Sequence, residues 1–143
     1  EIIEVEKGDA IKIGNVIFEV ISPNITLDNK NINEYSLVIK LRYGSQSALF
    51  TGDIGVETEE KLYNLKADIL KVGHHGSKQS SSEKFINRVN PILSIIQVGE
   101  NNGYGHPDEE IVKRLMRTSK VYTTAQYGEI QVKMYKNKIV VNE

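Results

Sequence analysis

Apolar positions along this chain are β-like at the start and then fall into alternating strand and helix patterns. From Glu1 to Ser22 the pattern is that of β structure. Lys7-Gly8-Asp9 and Gly14-Asn15 are turn signals, and Val16 to Ile21 is a strand rich in β-branched residues that Pro23 ends. Asn24 to Glu34 is polar and asparagine-rich, which predicts a loop. Leu37 to Tyr43 alternates cleanly, with Leu37, Ile39, Leu41 and Tyr43 on one face. Gly44-Ser45 then turns the chain into Ala48-Leu49-Phe50, the second arm of a hairpin.

Beyond this hairpin the period changes. Val56 to Leu65 is polar and acidic with Leu62 and Leu65 apolar, which predicts a short helix, and Ile69 to Val72 is the next strand. Ser80 to Glu83 has the spacing of a capping box, followed by the helical stripe Phe85, Ile86 and Val89, and Pro91 ends that helix. Ile92 to Val98 has little polarity, as an interior strand would. Pro107 suits the first turn of a third helix, with Asp108, Glu109 and Glu110 at its positive end. Lys113, Arg114 and Arg117 suit the other end, and Ile111, Val112, Leu115 and Met116 form its buried face. Val121-Tyr122, Ile130 to Tyr135 and Ile139 to Val141 complete the chain as strands, with Lys136-Asn137-Lys138 turning a terminal hairpin. This order predicts an α/β layered fold in which a mixed β-sheet packs with about three helices, over residues 1–143 as one domain.

Composition narrows the classes. A chain of 143 residues is long enough for a real core, and 39% hydrophobic with 26% charged residues is ordinary for a soluble globular domain. A net charge of -1 gives no long-range attraction to nucleic-acid phosphates, so any such contact must be local. The absence of cysteine excludes disulfides, zinc fingers and thiol catalysis. No apolar run reaches the length of a membrane span, and no signal-peptide pattern opens the chain. Because the chain begins with Glu1 rather than Met, it reads as a domain excised from a longer protein.

Candidate chemistry gathers after the predicted strands. Leu49-Phe50-Thr51-Gly52-Asp53 ends in a carboxylate that can bind a divalent metal or cap the helix that follows. Leu70 to Ser77 runs from an apolar strand into Gly73-His74-His75-Gly76-Ser77 and holds two of the three histidines. Successive side chains of an extended segment point to opposite faces. Unless the glycines turn the chain, one histidine then meets a metal and the other a substrate. Ser77 and Lys78 can donate to a phosphate or can belong to a solvated loop. The third histidine, His106, precedes Pro107 and reads either as a site residue or as a helix N-cap. In open α/β sheets ligands collect at the carboxyl ends of strands, where all these residues fall.

Several runs carry a family resemblance. Asn33-Glu34-Tyr35-Ser36-Leu37-Val38, Phe50-Thr51-Gly52-Asp53-Ile54, Ala67 through Ser77 and Asn102-Gly103-Tyr104-Gly105-His106-Pro107 occur in that order. Together they resemble the C-terminal metallo-β-lactamase-like domain of the DNA-internalisation competence protein family, ComEC, over nearly the whole chain. The resemblance implies Asp53 and His75 as metal ligands, with the reverse assignment of the histidine pair open. It implies His74 and His106 as catalytic contacts to phosphate, and Ser77, Lys78 and Asn102 as substrate contacts. The implied cofactor is a divalent metal, zinc or manganese. The implied partners are single-stranded DNA and the rest of a parent protein with a transmembrane channel, this domain lying on the extracytoplasmic side of the cell membrane.

The superfamily's His-x-His-x-Asp-His loop is absent, so the chain resembles only the second half of the fold. A catalytic zinc commonly takes three protein ligands, and the chain alone is therefore expected to be inactive. Thr123-Thr124-Ala125 also departs from relatives that carry an acidic residue after threonine. Two other functions fit the same residues: a non-catalytic domain that binds DNA or braces a channel, and a secreted stand-alone hydrolase of another phosphodiester.

Overall fold

A computed structural model describes residues 2, 4–23 and 31–142. Most of the predicted loop from Asn24 to Glu34 therefore lies outside the described residues, as do Glu1 and Ile3 of the predicted β segment. Seven strands form one sheet in chain order: β1 (Ala10–Ile13), β2 (Val16–Ser22), β3 (Val38–Tyr43), β4 (Gln46–Phe50), β5 (Ile69–Lys71), β6 (Leu93–Ile96) and β7 (Lys120–Thr123). β1 to β4 pair antiparallel and β4 to β7 pair parallel, so the predicted mixed sheet is present. β8 (Gln131–Met134) and β9 (Ile139–Asn142) form the terminal hairpin.

The parallel half dictates the layers. Each crossover advances the sheet by one strand in the same direction, and right-handed crossovers then put every connecting helix on the same face. α1 (Val56–Lys61), α2 (Glu83–Val89) and α3 (Glu109–Leu115) are those helices. Their neighbourhood supplies Leu62, Leu65, Phe85, Ile86, Val89, Ile111 and Leu115 to a core against Val38, Leu49, Leu70, Val72 and Ile96 of the sheet. The opposite face carries Ala48, Ile69, Leu93 and Tyr122, over which the β8–β9 hairpin lays Val132, Met134, Ile139 and Val141. No helix among the described residues is long and apolar enough to cross a membrane.

Tertiary packing revises several local expectations. A fourth helix, α4 (Thr124–Tyr127), follows β7 where none is predicted. Ile32–Tyr35 is a 3-10 turn rather than plain loop. The alternation in β3 leaves open which face meets the main core, and that face carries Val38 and the buried Lys40. Leu41 turns to the hairpin instead, because this sheet is covered on both sides. Lys40 is buried because its ammonium donates to the carbonyl and side-chain oxygens of Asn64, at 3.0 and 3.2 Å. The cap of α2 is Ser82, whose hydroxyl accepts from the N–H of Phe85, and left-handed Asn90 ends the helix before Pro91. α3 starts two residues beyond Pro107, with Asp108 as its cap, so His106 is not an N-cap.

Candidate active site at the carboxyl ends of the parallel strands

The loops after β4, β5 and β6 emerge from one edge of the sheet because these strands run parallel. Asp53 leaves β4 through Thr51 and Gly52. The buried Thr51 hydroxyl donates to the Lys71 carbonyl at 3.1 Å and so ties the ends of β4 and β5 together. Gly52 has φ +56°, and a Cβ there would lie 2.7 Å from the Cβ of Ser36. That close approach brings the Ser36 hydroxyl to the N–H of Asp53, at 3.1 Å. Gly52→Ala therefore meets both strain and a clash. It is expected to cost about 1–3 kcal/mol, read as a lowered thermal midpoint; an unchanged midpoint would show that Ser36 yields freely.

Asp53 does not cap α1. The N-cap is Gly55, whose N–H donates to the buried carboxylate of Glu34 at 3.1 Å, and no side chain caps the helix. The half-buried Asp53 carboxylate holds no hydrogen bond among the described residues. It lies close enough to Lys71 to matter electrically: burial lowers the Lys71 pKa and the charge of Asp53 pulls it partly back.

The chain turns at the histidine pair, and the turn falls on the histidines themselves. His74 and His75 have φ, ψ of 48°, 43° and 53°, 24°. Left-handed backbone costs a residue with a side chain about 1–2 kcal/mol, so the surroundings must hold it. The N–H of His74 donates to the Gly52 carbonyl at 3.1 Å, and the N–H of Ser77 to the His74 carbonyl at 2.9 Å. The buried Ser80 hydroxyl bonds the carbonyls of Gly73 and Ser77 at 3.0 and 3.2 Å. Alternation between faces, which assumes extended backbone, therefore does not govern where these two side chains point.

The two rings differ in what they can do. Nδ1 of His75 lies 2.7 Å from the Gln97 carbonyl. A carbonyl only accepts, so Nδ1 carries the proton and Nε2 of the neutral ring is left with its lone pair, the arrangement usual for a metal-ligating histidine. The exposed His75 thus suits a ligand. His74 is half-buried and packs edge-on against His106, with ring centroids 6.1 Å apart.

His106 reaches that position through the loop after β6. The Asn102 side chain accepts from the N–H groups of Tyr104 and His106 at 3.2 and 3.0 Å and donates to the carbonyls of Gly99 and His106 at 3.0 and 2.5 Å. Asp108 donates its N–H to the Gly76 carbonyl at 2.9 Å, which locks this loop to the histidine pair. A Cβ on Gly76, at φ +79°, would come within 2.7 Å of the Pro107 side chain.

Three predicted substrate contacts look different in the fold. Ser77 is buried with its hydroxyl turned to the N–H of Gln79 at 3.3 Å, and so it shapes the loop rather than facing a ligand. Asn102 is engaged inside its own loop, a positioning role. Lys78 is exposed but paired with Asp108 at 3.3 Å; exposed pairs are weak, so the ammonium can exchange partners. Among the described residues no three His, Asp or Glu side chains gather as a metal-holding group.

Residues that no sequence motif exposed complete the frame. Gln97 acts through its backbone, which leaves no side-chain signal. Thr124 bonds both the N–H and the carbonyl of Val98, each at 2.8 Å, and secures the exit of β6.

A family model described as "Metallo-beta-lactamase superfamily" matches residues 24–99. "ComE operon protein 3" of Bacillus subtilis is 42% identical over 95% of this chain and 18% of its own length. "Recombination protein 2" of Haemophilus influenzae is 33% identical over 88% of this chain and 16% of its own. "Competence protein ComA" of Neisseria gonorrhoeae is 37% identical over 70% of this chain and 15% of its own. The chain thus spans less than a fifth of each of these relatives, and the resemblance to the competence proteins stands.

Proposed function

The chain belongs to the metallo-beta-lactamase superfamily, and on that premise we propose that it is the C-terminal part of a metal-dependent phosphodiesterase domain in a membrane protein of DNA uptake. The observation that supports this most is the convergence of an unengaged carboxylate, a histidine with free Nε2 and a second histidine pair-contact on one edge of β4, β5 and β6. Their chemistry fits one side of a divalent metal centre, with Asp53 and His75 as donors. No third ligand joins them among the described residues, so the remaining ligands come from the parent protein. A bound zinc or manganese ion supplies an activated water for attack on phosphate.

The roles of this chain's residues follow from their placement. His74 and His106 face each other across the gap between the β5 and β6 loops and donate to phosphate oxygens as charge develops there. Lys78 leaves Asp108 to approach the anion, while Ser77 and Asn102 keep the loops in shape. Single-stranded DNA is the substrate, the membrane channel of the parent is the partner, and the domain works on the extracytoplasmic side. A second reading draws on the missing third ligand: a domain that holds DNA or braces the channel without cutting.

The isolated chain, incubated with labelled single-stranded DNA and Mn²⁺ or Zn²⁺, is expected to show only background cleavage. Robust metal-dependent turnover that Asp53→Ala abolishes would overturn the claim of a half-site. If the longer parent bound no metal at micromolar concentration, the non-catalytic reading would replace the enzymatic one.

A further inference from the structure

Tyr104 has no role in the site as described, yet its placement is specific. It is 86% exposed, at the tip of the loop after β6, between Gly103 and Gly105. Its backbone is anchored, because its N–H donates to the Asn102 side chain, which also holds the N–H and the carbonyl of His106 two residues on. Its ring lies nearly parallel to that of His106, with centroids 6.0 Å apart and planes 15° apart. With His75, Val98, Gly99, Asn102 and His106 it lines a cavity of about 200 Å³. An aromatic ring with one face on a site histidine and the rest in solvent offers its outer surface as a platform.

Charge gives a reason for such a platform. With a net charge of -1 the chain cannot rely on phosphate attraction for affinity. Stacking of a base on an aromatic side chain adds affinity that is tolerant of sequence, because every base has a π-face. We propose that Tyr104 stacks the nucleobase flanking the phosphate held at His74 and His106, and so makes the site select single-stranded nucleic acid over base-free phosphodiesters. This rests on the phosphodiesterase reading for the identity of the neighbouring phosphate site. It assigns Tyr104 as a specificity residue, not a catalytic one.

The chain contains no tryptophan, so Tyr104→Trp introduces a single reporter into the 143-residue chain. Oligo(dT) is expected to quench that fluorescence, and an abasic oligomer of equal length is not. By anisotropy of labelled oligomers, Tyr104→Ala should weaken oligo(dT) binding about 5- to 100-fold, leave abasic binding unchanged, and be rescued by Tyr104→Phe. Because Tyr104 is exposed, these variants retain the fold, which circular dichroism checks. Equal losses for both oligomers, or binding without quenching, would overturn the stacking role while leaving phosphodiester chemistry intact. Failure of the wild type to bind either oligomer would overturn it as well. Base-selective binding without any hydrolysis in the longer parent would support Tyr104 and remove the enzymatic reading instead.

Discussion

Glu59→Ala is expected to destabilise the fold by about 2–5 kcal/mol, the largest loss from any single truncation considered for the polar framework. Glu59 sits in α1 and is 1% exposed. Its carboxylate accepts the N–H of Ser81 through one oxygen and the N–H of Ser82 through the other, the latter at 3.0 Å. These groups lead into α2, and Arg88 of α2 returns the favour by donating to the carbonyls of Glu59 and Leu62. Alanine would leave a buried and a part-buried donor without this partner and a gap between helices. Ser81 is already held at φ +58°, so the clamp also maintains local strain. Since Ser80 anchors the histidine loop, the damage should spread to the site. Urea unfolding of the variant measures the loss; a change within about 0.5 kcal/mol would show that the clamp is dispensable.

The same carboxylate gives stability a pH dependence of defined sign. Burial raises the Glu59 pKa, and the N–H donors of Ser82 and Ser81 with the charge of Arg114 offset only part of that rise. A raised folded value means that the folded state binds the proton more tightly. The contribution is therefore full below the unfolded carboxylate value of about 4.3 and is lost as pH rises through the folded value. Glutamine is a neutral isostere of the protonated acid, so the unfolding midpoints of the wild type and Glu59→Gln should lie closest in acid and separate as pH rises through the folded value. Parallel curves across that window would exclude Glu59 as the source.

In a polypeptide that provides the remaining metal ligands, Asp53→Ala and His75→Ala are each expected to lower DNA hydrolysis at least about 100-fold, because loss of even a supporting partner of a metal ligand costs 10–100-fold. Both should lose bound metal. His74→Ala and His106→Ala should keep it and lose rate, on the order of 100- to 1,000-fold each, the range for removing one donor to a developing oxyanion. Metal content by elemental analysis beside kcat separates the two classes. The division rests on Gln97: its carbonyl accepts a hydrogen bond from Nδ1–H of His75 and leaves Nε2 free, whereas His74 packs on His106. If His74→Ala lost the metal and His75→Ala kept it, the assignment within the pair would reverse.

Much of this was legible from the chain itself. Apolar runs bounded by turn signals mark eight of the nine strands among the described residues, and β1 falls within a segment that reads as β structure without bounds of its own. Of the four α-helices among the described residues, three carry a pattern that predicts them, whereas α4 spans only four residues and carries no buried stripe. Its cap, Thr123, acts through a bond to the N–H of Gln126 that a threonine in a strand end does not announce. In β3 clean alternation marks two faces but not which one meets the larger core when both are covered. Asp53, His74, His75 and His106 stood out as chemistry-bearing residues at strand ends, and Ser77 and Asn102 did too. Motif alone cannot distinguish a hydroxyl or amide that faces a ligand from one consumed by its own loop.

By itself the sequence determined the strand order's raw material, the polar character of the strand-end loops and the count of only three histidines. Only the tertiary structure decided how those loops meet. Parallel pairing of β4, β5 and β6 brings residues far apart in sequence to one edge, and sequential crossovers keep the helices off the other face. The left-handed turn at His74 and His75, the tautomer imposed by the Gln97 carbonyl and the stack of Tyr104 on His106 all depend on backbone groups brought close by that pairing. Backbone carbonyls, and the N–H groups of all residues but proline, are alike along the chain, so no pattern of side chains names them in advance.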